Sequence, residues 1–243
     1  MLQQPQIPGP LAGVDLVRII DTSAAQGAKW ADDLDEIMAA GIALGIFKAA
    51  DGEHDTDGAW EHSAEVATAK GFPFLGYCVL EPYGATRVDT QVQNAAARLK
   101  GSGAFGAACD HELAKGETGI VALESAADYM DGLEQATGMP VGYYSAPAFD
   151  LGLESLAKSA GADRLARVLA RLAKRWQWIA DYRHSSYAAG APQVAVPGAD
   201  WSIWQLGPAE STLPNGKPVD FNLFRGTLPD LLGLVCVQGP VEP

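Results

Sequence analysis

The chain of 243 residues carries 17 Lys and Arg against 30 Asp and Glu, for a formal net charge of −13. That balance leaves no basic stripe to neutralise phosphates and excludes a nucleic-acid partner. Hydrophobic residues make up 48% of the chain, enough to bury the core of one large domain, and the length is common among α/β barrels.

The first segment, residues 1–12, is a polar, proline-bearing leader. It has no basic stretch followed by an apolar one, so no signal peptide is expected, and no run of about 18 apolar residues predicts a membrane span. Gly13 to Ile20 is a short apolar run broken by Asp15. An ionised carboxylate there needs a wet pocket, a partner, or a place at the strand's end. Helical periodicity follows at Leu34, Ile37 and Met38, then a second strand over Ile42 to Phe47. The loop Lys48 to Asp57 holds four acids, but their spacing lacks the terminal Glu of a calcium loop, and no metal site is expected. Asp57 reads instead as the cap of a helix through Lys70, stopped by Gly71.

The alternation then repeats. A third strand runs over Phe72 to Leu80, a helix is marked by Val92, Ala95, Ala96 and Leu99, and a fourth strand covers Phe105 to Glu112. Another helix, marked by Ala126, Tyr129, Met130 and Leu133, leads to a fifth strand over Pro140 to Tyr144. Five strand–helix units predict parallel strands with right-handed crossovers, and closure into a barrel buries both faces of such a sheet. After the helical stripe Leu165, Val168, Leu169, Leu172 and Trp176, three short strands near residues 176–180, 201–205 and 219–223 are joined mainly by loops. Eight strands are therefore expected. The row Arg164, Arg167, Arg171, Lys174 and Arg175 reads as a solvated helix face. Cys78, Cys109 and Cys236 are widely spaced, with neither a disulfide framework nor metal-ligand spacing, and fit a reducing compartment.

The chemistry concentrates at Asp110-His111-Glu112. Side chains two apart on a strand share a face, so Asp110 and Glu112 project together, ~7 Å apart from a rise of ~3.3 Å per residue. His111 points the other way, into the helical layer. Two crowded carboxylates repel, so one can hold a proton and act as a general acid beside an ionised partner, as in glycoside cleavage.

Several pieces, in order, resemble glycoside hydrolase family 25, the Chalaropsis-type lysozymes that include phage endolysin muramidases. They are Gly13-Val14-Asp15, the strand ending Lys48-Ala49-Ala50-Asp51-Gly52, Asp57 with Trp60, Gly76-Tyr77, and Asp110-His111-Glu112. Tyr143-Tyr144-Ser145, Trp178-Ile179-Ala180-Asp181-Tyr182, Trp204-Gln205 and Val219-Asp220-Phe221-Asn222 complete the set. The resemblance covers Gly13 to about Gly226 and implies a single TIM-like barrel of the (β/α)5(β)3 type over residues 13–228, followed by a tail over 229–243. It implies an N-acetylmuramidase that needs no cofactor and cleaves the β-1,4 bond between N-acetylmuramic acid and N-acetylglucosamine in peptidoglycan. Glu112 would be the general acid and Asp110 the support for the substrate N-acetyl group, with Asp15 and Asp220 completing an acidic floor. Lys48, Tyr77, Tyr144, Trp178, Tyr182 and Trp204 would line the sugar cleft, along with Trp201. Cys78 stands where many members have His, and Ala50 where Thr is usual; both are expected near the cleft. A phage-encoded enzyme, held in the host cytoplasm until release or carried in a virion, is the expectation. A virion or tail protein that keeps the barrel as a glycan-binding module with little turnover is the alternative.

Overall fold

A computed structural model of the chain describes residues 9–81, 87–112, 119–146 and 153–235. Eight strands close into a barrel. In chain order they are β1 (Leu16–Thr22), β2 (Leu44–Asp51), β4 (Phe74–Val79), β5 (Ala107–Asp110), β6 (Val141–Ser145), β7 (Gln177–Ala180), β8 (Ile203–Thr212) and β9 (Pro218–Arg225). A two-residue strand, β3 (Asp55–Thr56), hangs off the end of β2 as a hairpin. Apart from the β3 hairpin, all barrel neighbours from β1 through β8 pair in parallel. β9 runs antiparallel between β8 and β1 and closes the ring, with β1 also pairing with β2.

Helices fill the first five connections. They are α1 (Leu34–Ala39), α2 (Trp60–Lys70), α3 (Val88–Leu99), α4 (Ile120–Thr137), and the pair α5 (Leu153–Ala160) and α6 (Ala162–Ala173). Between β7 and β8 there is only the short α7 (His184–Ala189), and β8 turns directly into β9. This is the (β/α)5(β)3 arrangement expected from sequence. The loss of helical periodicity after Trp176 marks where crossover helices stop.

Strand alternation sorts the core into two layers. Val17, Ile19, Leu44, Ile46, Leu75, Ala108, Tyr144, Trp178, Ile203 and Phe224 fill the barrel. Ile20, Phe47, Phe74, Cys109, Tyr143, Trp204, Phe221 and Leu223 pack outward under the helices. Gly76 faces the outer layer, where a Cβ would lie 2.3 Å from a methyl of Leu99 and 3.1 Å from the Trp60 ring. The glycine of the Gly76-Tyr77 pair thus lets α2 and α3 settle on β4.

Three expectations change. β1 begins after Asp15 and runs to Thr22, later than the Gly13–Ile20 segment. Residues 229–235, expected as tail, belong to α8 (Leu228–Val235), whose Leu231 and Val235 pack against the residues that fill the barrel. Three of the five basic residues along and just after α6 are paired rather than simply solvated. Arg164 meets Glu124 at 2.6 Å, Arg171 meets Asp128 at 2.7 Å and Asp131 at 2.5 Å, and Arg175 meets Asp131 and Glu134, all on α4. Such exposed pairs orient two helices more than they stabilise them. Cys236 and the Pro82-Tyr83-Gly84 segment lie outside the described residues.

Candidate active site

Barrel enzymes keep their chemistry where parallel strands end at their C-termini. Here the inward positions at that rim are polar on most strands: Asp21 on β1, Lys48 and Asp51 on β2, Tyr77 on β4, Asp110 on β5, Tyr144 on β6 and Gln205 on β8. β9 runs the other way, so its first inward residues, Asp220 and Asn222, reach the same rim.

Asp110 is the last residue of β5, and Glu112 follows two residues on. Asp110 is buried, and its Oδ1 has no hydrogen-bond partner among the described residues. Burial, and next the charge of Glu112, push its carboxyl well above the usual range, while Lys48 pulls the other way. Glu112 is exposed, and its charge also acts on Tyr144 and Tyr182, which places it on the cleft side. His111 is buried with its Nδ1 3.1 Å from the Tyr143 hydroxyl, in the outer layer, as strand alternation predicts. Burial holds its imidazole down at about 4, so it is neutral near neutral pH.

The floor is built on Asp21. Nε2 of Gln205 and Nδ2 of Asn222 both donate to its Oδ2, at 2.9 and 2.7 Å. Tyr144 and Tyr182 hydroxyls donate to Oε1 of Gln205 at 3.0 and 2.6 Å, and the Trp178 indole N–H donates to Oδ1 of Asn222 at 2.7 Å. Burial and the charge of Asp220 raise Asp21 to about 7, against the pull of the two amides. Burial raises Asp220 to about 6. Lys48 Nζ donates to Asp51 at 2.7 Å on the same rim.

Asp15 is not part of this group. It is exposed and precedes β1, at the opposite end of the barrel, where its carbonyl accepts from Gly226 N. The first acid of the site is Asp21. Its signal in the sequence was the period-two row Val17, Ile19, Asp21, which continues the strand past the apolar run.

Trp204 is also off the cleft. It is fully buried in the outer layer, its indole N–H donating to the Asp181 carbonyl at 2.8 Å. Its neighbour Gln205 takes the inward position, and Trp201 packs edge-on to Trp204 with Arg225 5.4 Å from its ring. Cys78 and Ala50 likewise face the helical layer, so neither departure from the family's pattern touches the cleft. Cys78 and Cys109 are free thiols, and burial raises Cys78 to about 12.

Of the remaining aromatics, Tyr182 is the most open at 45% exposure, and Tyr77 is half-buried. Trp178, 2% exposed, lies beneath them, with Tyr144 and Tyr77 edge-on to its ring at 4.5 and 5.8 Å. Trp178 therefore supports the cleft from below, and Tyr77 and Tyr182 are the rings open to a ligand.

Asp181, two residues past Ile179, holds the rim outside the cleft. Its carboxylate accepts from Arg183 at 2.7 Å through both oxygens, from Ser186 at 2.6 Å and from Gln193 N at 2.8 Å. Despite burial, these donors hold it at about 2. Three of the four acids of the 48–57 loop are engaged in local structure: Asp51 with Lys48, Glu53 with Arg87, and Asp57 accepting from Ala59 N and Ala24 N.

No protein-family model matches the sequence, and a comparison with curated proteins finds no match. Solved structures do match. A family 25 glycosyl hydrolase from Bacillus anthracis aligns at 15% identity over 91% of this chain and 94% of its own, with a TM-score of 0.66. A bacterial lysozyme from Streptomyces coelicolor aligns at 20% identity over 90% and 96%, with a TM-score of 0.67. The catalytic domain of endolysin ply40, from bacteriophage P40 of Listeria monocytogenes, aligns at 18% identity over 90% and 96%, with a TM-score of 0.60. The chain therefore has the barrel fold of these lysozyme-type structures along nearly all of their length.

Proposed function

We propose that the protein is a peptidoglycan hydrolase, an N-acetylmuramidase that cleaves the β-1,4 bond between N-acetylmuramic acid and N-acetylglucosamine. The observation that carries this reading is the pair leaving β5: a buried Asp110 with an unpartnered oxygen beside an exposed Glu112 on the cleft side. Glu112 protonates the departing glycosidic oxygen. Asp110 accepts the substrate acetamido N–H on Oδ1 and aligns the acetamido oxygen to attack the anomeric carbon, which carries positive charge in the transition state. Asp21 and Asp220 form the acidic floor, and Tyr77 and Tyr182 offer ring faces to the pyranose CH groups. The fold shared with lysozymes and a phage endolysin supports the same reading, and with it a phage-encoded protein acting at the bacterial cell wall.

The test is a digest of purified cell walls, reduced with borohydride and analysed by mass spectrometry. Fragments ending in muramitol are expected. Fragments ending in glucosaminitol, or free stem peptides, would contradict the reading, and binding to walls without new ends would favour a glycan-binding virion component.

A further inference from the structure

Both amides that touch Asp21 receive a donor on their oxygen, and for Asn222 that donor is a group that cannot accept. An indole N–H cannot accept a hydrogen bond, so Trp178 claims Oδ1 of Asn222 and turns Nδ2 toward Asp21. Two tyrosine hydroxyls donate to Oε1 of Gln205, and its Nε2 faces Oδ2 of Asp21, which when ionised can only accept. Flipping Asn222 would set its NH2 against the indole N–H and leave a buried donor unpaired. Gln205, Asn222 and Trp178 are 3%, 0% and 2% exposed, so water cannot replace these partners. Asp21 thus receives two N–H bonds on Oδ2 and, among the described residues, none on Oδ1. A proton on Oδ2 would point at two donors.

We propose that Gln205 and Asn222 are positioning residues that reserve Oδ2 of Asp21 as an acceptor and leave Oδ1 as the single seat for a proton, so that Asp21 and Asp220 share one proton in a fixed arrangement. The arrangement belongs to the protein alone, while its use in turnover rests on the muramidase reading. Asp21 is faced by Asp220, its register partner on β9, and by Asp110 from β5, Tyr77 from β4, Tyr144 from β6 and Tyr182 after β7. Lys48 from β2 and Glu112 after β5 act on Asp110 in turn. With one proton between them, the two floor acids carry a single negative charge beneath the substrate, and Asp110 does not face two ionised carboxylates.

The experiment is a pH titration of the Asp21 carboxyl by NMR on protein carrying 13C-labelled aspartate, with Asp21→Asn to assign the signal. Asn222→Ala removes one bond to the ionised form and is expected to move the Asp21 midpoint upward by about one unit. Trp178→Phe, which never touches Asp21, is expected to move it in the same direction by freeing the amide. The matching limb of the pH profile of kcat is expected to follow, with KM little changed. If either buried variant fails to fold, Tyr182→Phe, at an exposed position, is the second probe and is expected to give a smaller upward shift. Midpoints that stay at the wild-type value in the folded variants overturn the proposal. A wild type that leaves cell walls uncut defeats the muramidase reading instead, and the titration then decides the positioning claim by itself.

Discussion

Asp21 and Asp220 are register partners across the antiparallel seam where β9 closes the barrel on β1. Both side chains point inward, so closing the ring forces two carboxylates together in a site that is already short of water. Burial first, and the charge of Asp220 second, raise Asp21 to about 7.

That pair makes the fold less stable as pH rises. Asp21 titrates at about 7 in the folded chain against 3.8 unfolded, so its favourable share is complete below the unfolded value and is lost as pH climbs through the folded one. Asp21→Asn keeps an oxygen that accepts from Gln205 and Asn222 but removes the charge. Thermal melts are expected to show the variant more stable than wild type at pH 8, by a few degrees for each kcal/mol regained, and equal to it at pH 4. Equal melting temperatures at pH 8 would contradict the buried, raised carboxyl.

His111 lies in the outer layer and has no part in the proposed chemistry. Tyr143→Phe removes the hydroxyl beside it and is expected to cost about 1 kcal/mol of stability while wall hydrolysis stays at the wild-type rate. The imidazole, neutral down to about 4 in the fold, titrates higher once unfolded, so its share of stability is present above the unfolded value and is lost as pH falls toward 4. Urea denaturation at pH 7 and pH 5, with hydrolysis measured on the same samples, checks both statements. A large loss of activity in a well-folded variant would put His111 back into the site.

Asp181 braces the segment that carries Tyr182. Asp181→Asn keeps the shape but loses the ionised acceptor for Arg183 and Ser186, and is expected to cost about 1–3 kcal/mol. The difference from wild type should shrink as pH falls from the usual carboxylate range through about 2, where the native carboxylate itself takes up a proton. A pH-independent difference in melting temperature would assign the loss to packing instead of charge.

The barrel was legible in the sequence because five strand–helix units keep a strict rhythm, and its end was legible because the last three strands lose it. The shared face of Asp110 and Glu112 was legible from period-two spacing, which also turned His111 outward, and Asp220 came from the resemblance. The same rule applied to the first strand points to Asp21, but the apolar run ending at Ile20 hid the strand's last two residues and drew attention to Asp15. Trp204 was misplaced for a related reason: an aromatic beside Gln205 looks like a sugar platform, and only the register of β8 against β7 and β9 fixes which of the two faces in. The amide locks on Asp21 join strands far apart in the chain, Trp178 on β7 to Asn222 on β9 and Tyr144 on β6 to Gln205 on β8, so no local pattern carries them. The departures at Cys78 and Ala50 looked important in the sequence and are outward-facing core in the fold.

Release of reducing ends from purified cell walls by wild-type protein and by Glu112→Gln tests the central claim most directly. Glutamine keeps the size and polarity of the side chain but cannot give up a proton to the leaving oxygen. Wild type is expected to release reducing ends steadily, and Glu112→Gln, folded and still bound to walls, to lose at least about a hundredfold in rate. Equal release by the two proteins would contradict the assignment of Glu112 as the acid, and release by neither would contradict the hydrolase itself.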